Sequence, residues 1–209
     1  MVWNDDGVSP VVGVMLMLSV TVIIAAIVSA AAGGLSGTEK QAPSAILNVH
    51  FYDNRSYGGG AFSSDTMTIE QVSGNPLQTK DLSISTYFRN TSGMIKGSLM
   101  GEKYVEVDSK NCGVLYINNR DRFGDPRQDS GITGYQSWFG NSSAVLMAGD
   151  VLVTPAQYFG SADNQAINSI LNIDTADPDN GYRSGAVVNV KIVHIPSGQV
   201  IFDKDVVVV

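Results

Sequence analysis

Between Val8 and Ala32 the chain is apolar on every helical face, interrupted only by Pro10, small residues and the hydroxyls of Ser9, Ser19, Thr21 and Ser29. Coiled as an α-helix, this stretch is about 37 Å long, more than the roughly 30 Å hydrocarbon core of a bilayer. Ser9 followed by Pro10 reads as a helix start: a hydroxyl N-cap, then a proline whose missing N–H costs nothing in the first turn. Gly33-Gly34 and Gly37 read as C-terminal stops. A helix with no polar face must be covered all round, by lipid or by other helices.

Beyond residue 45 the pattern changes to alternation with period two. Ala45–Tyr52, Thr66–Val72, Leu82–Phe88, Gly113–Ile117, Ala144–Met147, Val151–Thr154, Val187–Ile195 and Val200–Val209 are predicted strands. Turn-forming clusters separate them: Asp53–Gly60, Gly74-Asn75-Pro76, Asn118–Gly134, Asp174–Gly185 and Pro196-Ser197-Gly198. One short helix is predicted at Asn164–Leu171. Short strands without strand–helix alternation point to an antiparallel sandwich or barrel. The closing Val206–Val209 would be an adhesive edge if unpaired, so it is expected inside a sheet or under a neighbouring subunit. The fold class is therefore α+β, a long apolar helix followed by an all-β domain.

Charge sharpens this division. The net charge is −7, from 13 basic and 20 acidic residues, which excludes a surface built to displace phosphate counterions from nucleic acid. Gly7 to Thr38 carries no charge, and every Lys and Arg lies at or beyond Lys40. Only Asp5 and Asp6 precede the apolar run, so the chain opens on a short acidic leader.

Three fates of the apolar segment compete. Ala30-Ala31-Ala32 offers a cleavage site for ordinary secretion, but the leader has no basic residue and the run exceeds the usual 7–15 residue core. A plain membrane anchor fits the length. The third fate is a helix that first sits in the membrane and then packs against copies of itself. Small residues favour it: Ala26, Ala30 and Gly34 recur every four positions, as do Ala25, Ser29 and Gly33, while Ser9 and Gly13 repeat the spacing near the start. Such stripes let helix backbones approach closely, the main attraction available in lipid.

The residues from Asp5-Asp6-Gly7-Val8-Ser9-Pro10-Val11-Val12-Gly13-Val14-Met15-Leu16-Met17 to Ala26 resemble the opening of archaeal type IV pilins. The shared core is Ser-Pro-Val-x-Gly close to the N-terminus. The absence of a glutamate early in the helix fits the archaeal branch rather than the bacterial one. Weaker similarity extends to Thr68–Ile84, to Ala148-Gly149-Asp150-Val151-Leu152-Val153 and to the final hairpin Val190–Phe202.

The resemblance implies a class III signal peptide, cut by a membrane aspartyl prepilin peptidase around Asp6/Gly7, or alternatively after Gly7, with the helix kept in the mature chain. It implies residues 1–6 as leader, 7–35 as filament-core helix, 36–44 as linker and 45–209 as outer domain. The partners it implies are further copies of the chain, the peptidase, an assembly ATPase with its platform, and the membrane before assembly. The implied product is an extracellular adhesive pilus. An archaellum subunit for motility shares this architecture, though its helix usually lacks the Ser-Pro-Val-x-Gly opening. A single-span anchored ectodomain would keep residues 1–6 and stay monomeric.

Catalytic chemistry is not legible. No nucleophile elbow, phosphate-cradling glycine loop, paired-cysteine motif or His-Glu-x-x-His occurs, and no cofactor or metal is expected. His50 and His194 fall in predicted strands as structural residues, and the lone Cys112 reads as a buried small side chain or an intersubunit contact. Asp174, Asp177 and Asp179, and likewise Asp121, Asp125 and Asp129, lack the calcium-loop spacing and read as solvated turns. Arg120, Arg122 and Arg127, interleaved with the second acidic set, read as a salt-bridged surface or subunit contact. Asn54-Arg55-Ser56, Asn90-Thr91-Ser92 and Asn141-Ser142-Ser143 have the form of N-glycosylation acceptors in or near loops.

Overall fold

The computed structural model describes residues 10–35, 41–57, 62–90, 93–101, 114–124, 134–155 and 164–209. The chain divides into two compact units, Met1–Lys40 and Gln41–Val209. The first holds the helix α1, Pro10–Leu35. Pro10 opens it, where a residue without an N–H is tolerated. Gly33-Gly34 do not stop it: the helix runs through both and ends one residue later. Two glycines cost about 1 kcal/mol each in a helix interior, and here they fall in the last turn.

The second unit is built from antiparallel strands. Its first four-stranded sheet has the order β1 (Ala45–Tyr57), β2 (Phe62–Gly74), β8 (Val151–Val153) and β6 (Tyr116–Ile117). The second sheet is ordered β10 (Gln199–Val207), β9 (Val187–His194), β4 (Leu82–Asn90) and β5 (Gly93–Met100). A two-stranded pair, β3 (Leu77–Gln78) with β7 (Val145–Leu146), completes the set. Leu47, Val49, Phe51, Met67 and Ile69 of the first sheet share one core with Leu82, Ile84, Phe88, Val188, Val190 and Ile192 of the second. These are alternate positions along their strands, as a half-buried sheet requires.

Three expectations are corrected. Asp53–Tyr57 is strand, not turn: β1 absorbs the polar residues as a bulge, its register moving from Tyr52↔Thr66 to Arg55↔Ser64. The strand β5 was not foreseen, because its inward row carries Gly97 between Ile95 and Leu99 and so breaks the apolar alternation. Gly97 is required there by the helix α3 (Gln165–Leu171), since a Cβ would overlap the carbonyl oxygen of Ile170. Finally, Val206–Val209 is interior only at its tip: β10 is an edge strand of its sheet. Its tip is sewn to β1 within the same chain, Asp53 N–H donating to Val209 O and Val209 N–H to Phe51 O, both at 2.9 Å. Val208 is thereby buried while Val207 and Val209 stay exposed.

α3 buries Ala166, Ile167, Ile170 and Leu171 on one face. Asn164 and Asn172 flank it in the left-handed region, at φ 60° and 57°, a conformation asparagine tolerates better than most residues. Asn164 is also held by a double clasp. It accepts from the Asp65 N–H at 3.0 Å and donates through Nδ2 to the Asp65 carboxylate at 2.7 Å.

Tyr182 packs against Phe88 and is buried. Its hydroxyl donates to the Tyr52 carbonyl at 3.4 Å. Burial first, and then the carboxylates of Asp65 and Asp53, hold its hydroxyl far above the usual tyrosine range. The folded state keeps this proton where the unfolded chain releases it, near pH 10. The stability Tyr182 contributes is therefore complete below about pH 10 and lost as pH rises above it. In urea titrations, the midpoint should fall between pH 9 and 11 in the native chain and fall less in Tyr182→Phe.

Candidate functional site

The described side chains of α1, residues 10–31, are all exposed, among them Val11, Met15, Met17, Ile23 and Ile27. Pro10–Ala31 has mean hydropathy 2.9 and is long and apolar enough to cross a membrane. Two hydroxyls inside it bond its own backbone: Ser19 Oγ donates to the Met15 carbonyl at 2.8 Å, and Thr21 Oγ1 to the Leu18 carbonyl at 2.9 Å. That back-bonding removes the penalty of carrying these groups into an apolar environment. No acidic residue lies in the first turn and no basic residue in the last.

Helical geometry turns sequence spacing into a surface. Ala26, Ala30 and Gly34 follow one another along one side, drifting by about 40° per step, and Ala25, Ser29 and Gly33 form the adjoining row. Together they make a shallow face over the last three turns. Gly13 continues the small-residue theme near the start, where no atom lies within 4 Å of a notional Cβ. Ser9, Asp6 and Gly7 lie outside the described residues.

The polar candidates separate rather than converge. Asn54 sits at the β1 bulge, Asn90 ends β4, and Asn141 lies in the turn before β7. His50 lies exposed on edge strand β1, its ring 6.1 Å from that of Tyr52. His194 closes β9 with Nδ1 2.8 Å from Ser197 Oγ. Cys112, Arg127, Asp125 and Asp129 lie outside the described residues. Among the described residues, no three His, Cys, Asp or Glu side chains converge on a metal position. Asp174 and Asp177 instead cap their own turn, accepting from Ala176 N–H and Asp179 N–H at 3.1 and 2.9 Å.

One constellation was not foreseen. Asp150, almost fully buried, pairs with Arg122 rather than leaving it to the acidic residues beside it in sequence. The same carboxylate accepts from Asn119 Nδ2 at 2.6 Å and from the Met147 N–H at 2.9 Å. Arg122 also donates to the Val145 carbonyl at 2.9 Å, and Asn119 caps the short helix α2 (Arg120–Phe123) by accepting from the Arg122 N–H. Every contact is internal, which makes this a structural fastener tying α2 to the β7–β8 turn. Asp150→Asn should cost about 1–3 kcal/mol, read as a lower urea midpoint at unchanged slope, because a charge-assisted buried network loses its charge and one acceptor.

Comparison with known proteins bears on the helix. Residues 6–47 match the model of the family described as archaeal type IV pilin, N-terminal. Over these residues the chain is similar to the N-terminal segment of archaeal type IV pilins. An uncharacterized protein of Archaeoglobus fulgidus is 30% identical over 96 residues, 46% of this chain and 62% of that protein. The chain thus spans less than two thirds of that relative's length. The pilin match covers α1 and the first residues of β1. The following antiparallel sheets lie beyond it.

Proposed function

We propose that this chain is a structural subunit of an extracellular archaeal type IV pilus, polymerising through α1 into a helical filament that serves adhesion. The observation that carries this reading is a charge-free helix, exposed on every face, that coincides with the pilin N-terminal match. The precursor sits with α1 in the cytoplasmic membrane and is trimmed at Asp6/Gly7 by a prepilin peptidase. An ATPase-driven platform then extracts it. The small-residue face of Ala25, Ala26, Ser29, Ala30, Gly33 and Gly34, with Ser9, Pro10 and Gly13 near the start, meets equivalent helices. The β domains form the sheath.

Passage from lipid to a bundle of identical helices barely changes the polarity around an apolar side chain. Assembly therefore draws on close packing and on the motor rather than on fresh hydrophobic burial. Head-to-tail contacts that do not close generate an open helix rather than a ring. The role is structural, with no reaction assigned to any side chain.

Intact-mass measurement of the mature protein tests the processing step. A pilin loses about six N-terminal residues and keeps α1. Ordinary secretion would cut near Ala32, and a simple membrane anchor would keep residues 1–6.

A further inference from the structure

We propose that Asn141 is the residue of this chain that accepts an N-linked glycan. Three triplets have the acceptor form, and they differ in what the fold has done with them. Arg55 and Ser56, after Asn54, are paired in the β1–β2 ladder with Ser64 and Ser63. A transferase that must draw the acceptor triplet into its own cleft would have to peel β1 from β2. Asn90 is paired with Gly93 at the end of β4, and its Nδ2 faces Asn180 Oδ1 at 3.5 Å.

The Asn141 triplet lies outside every ladder. Asn141 is half-buried and Ser142 and Ser143 are exposed. The segment is a β-turn, closed by the Ala144 N–H donating to the Asn141 carbonyl at 3.0 Å. Within it, the Ser143 N–H donates to Asn141 Oδ1 at 2.8 Å. That bond brings the carboxamide beside Ser143, the residue whose hydroxyl completes the acceptor triplet. Just before the turn, the Gly140 N–H donates to Thr79 Oγ1 at 3.1 Å. Lifting the triplet also breaks the Asn141 N–H bond to the Trp138 carbonyl and the Val145 N–H bond to the Ser143 carbonyl, both 3.0 Å, but none of these belongs to the ladders of the two four-stranded sheets.

The co-reactant is an oligosaccharide carried on a polyisoprenyl phosphate. A bond forms from Nδ2 to the anomeric carbon, and the bond from that carbon to the phosphate oxygen breaks with its electron pair leaving on the phosphate. One Nδ2 proton passes to a base of the transferase. The inference rests on the β domain lying outside the membrane, as the pilus reading requires.

Trypsin separates the three acceptor asparagines onto peptides 41–55, 90–96 and 128–183. The full chain is produced in an archaeal host that N-glycosylates its surface proteins, and the digest is read by mass spectrometry. The expected result is a sugar-sized mass increment on peptide 128–183. It should vanish in Asn141→Gln and Ser143→Ala and persist in Ser143→Thr. An unmodified 128–183 peptide in chains recovered from filaments overturns the proposal and leaves the filament reading standing. So does an increment that survives Asn141→Gln. A glycosylated 128–183 peptide on a chain that never forms filaments upholds this proposal and overturns that reading.

Discussion

Replacing Ala26 or Ala30 with leucine should cut filament yield by at least about tenfold while the precursor still inserts into the membrane. The two outcomes separate because they depend on different properties of α1. Insertion responds to hydropathy, and leucine at a helix centre favours it by a few tenths of a kcal/mol. Assembly responds to backbone approach. A leucine in the middle of the Ala26–Ala30–Gly34 row holds neighbouring helices apart, and about 1.4 kcal/mol lost per contact is a factor of ten in association. In a polymer the same contact repeats at every subunit, so the loss compounds. The measurement pairs membrane fractionation with electron microscopy of sheared surface material. Met17→Leu, outside the stripe, is the control and should assemble normally. Wild-type yield from Ala26→Leu and Ala30→Leu would remove the close-approach argument.

Gly97→Ala should be the more damaging change in the β domain. The added methyl would overlap the Ile170 carbonyl oxygen and would lie 2.5 Å from Thr86 Oγ1. Thr86 Oγ1 donates to that same carbonyl at 2.7 Å in a fully buried setting. Relief requires α3 to lift from β4 and β5, opening the packing of Ile167, Ile170 and Leu171 and stranding the hydroxyl. Overpacking together with one broken buried bond is worth about 2–4 kcal/mol. For a chain of this size that is a fall in Tm of roughly 5–15 °C. Thermal unfolding of the full chain in detergent reads it. Ser98→Ala, on the exposed side of the same strand, should stay within about 0.5 kcal/mol of wild type.

These two substitutions also mark where sequence reasoning was strong and where it failed. The helix α1 could be read residue by residue, because an unbroken apolar run and a leading proline depend on nothing distant. The strands β1, β4 and β9 were visible as well, since their inward rows Leu47–Val49–Phe51, Leu82–Ile84–Phe88 and Val188–Val190–Ile192 alternate with polar or exposed positions. β5 was hidden because Gly97 answers to α3, about seventy positions away in sequence. The bulge at Asp53 and Asn54 was hidden because turn-forming residues announce a loop whether or not a long partner strand holds them. Likewise Arg122 stands among acidic neighbours, yet its partner Asp150 arrives from the far side of the β7–β8 turn. In each case a local signal was overridden by a tertiary contact that only the fold supplies.

The processing site and the packing face differ in the same way. The expected cut at Asp6 and Gly7 rests only on resemblance to a family, whereas Ser9, Ala25, Ala26, Ser29 and Ala30 follow from helix-start chemistry and helical periodicity. Their shared surface exists in one copy of the chain, and the proposed filament would cover it with others.

The most direct test of the account is a cryo-electron microscopy reconstruction of filaments shed by cells expressing the chain. The account predicts continuous rods with helical density for residues 10–35 packed along the axis and the β domains outside. Shed material consisting of isolated globules without α1 would contradict it.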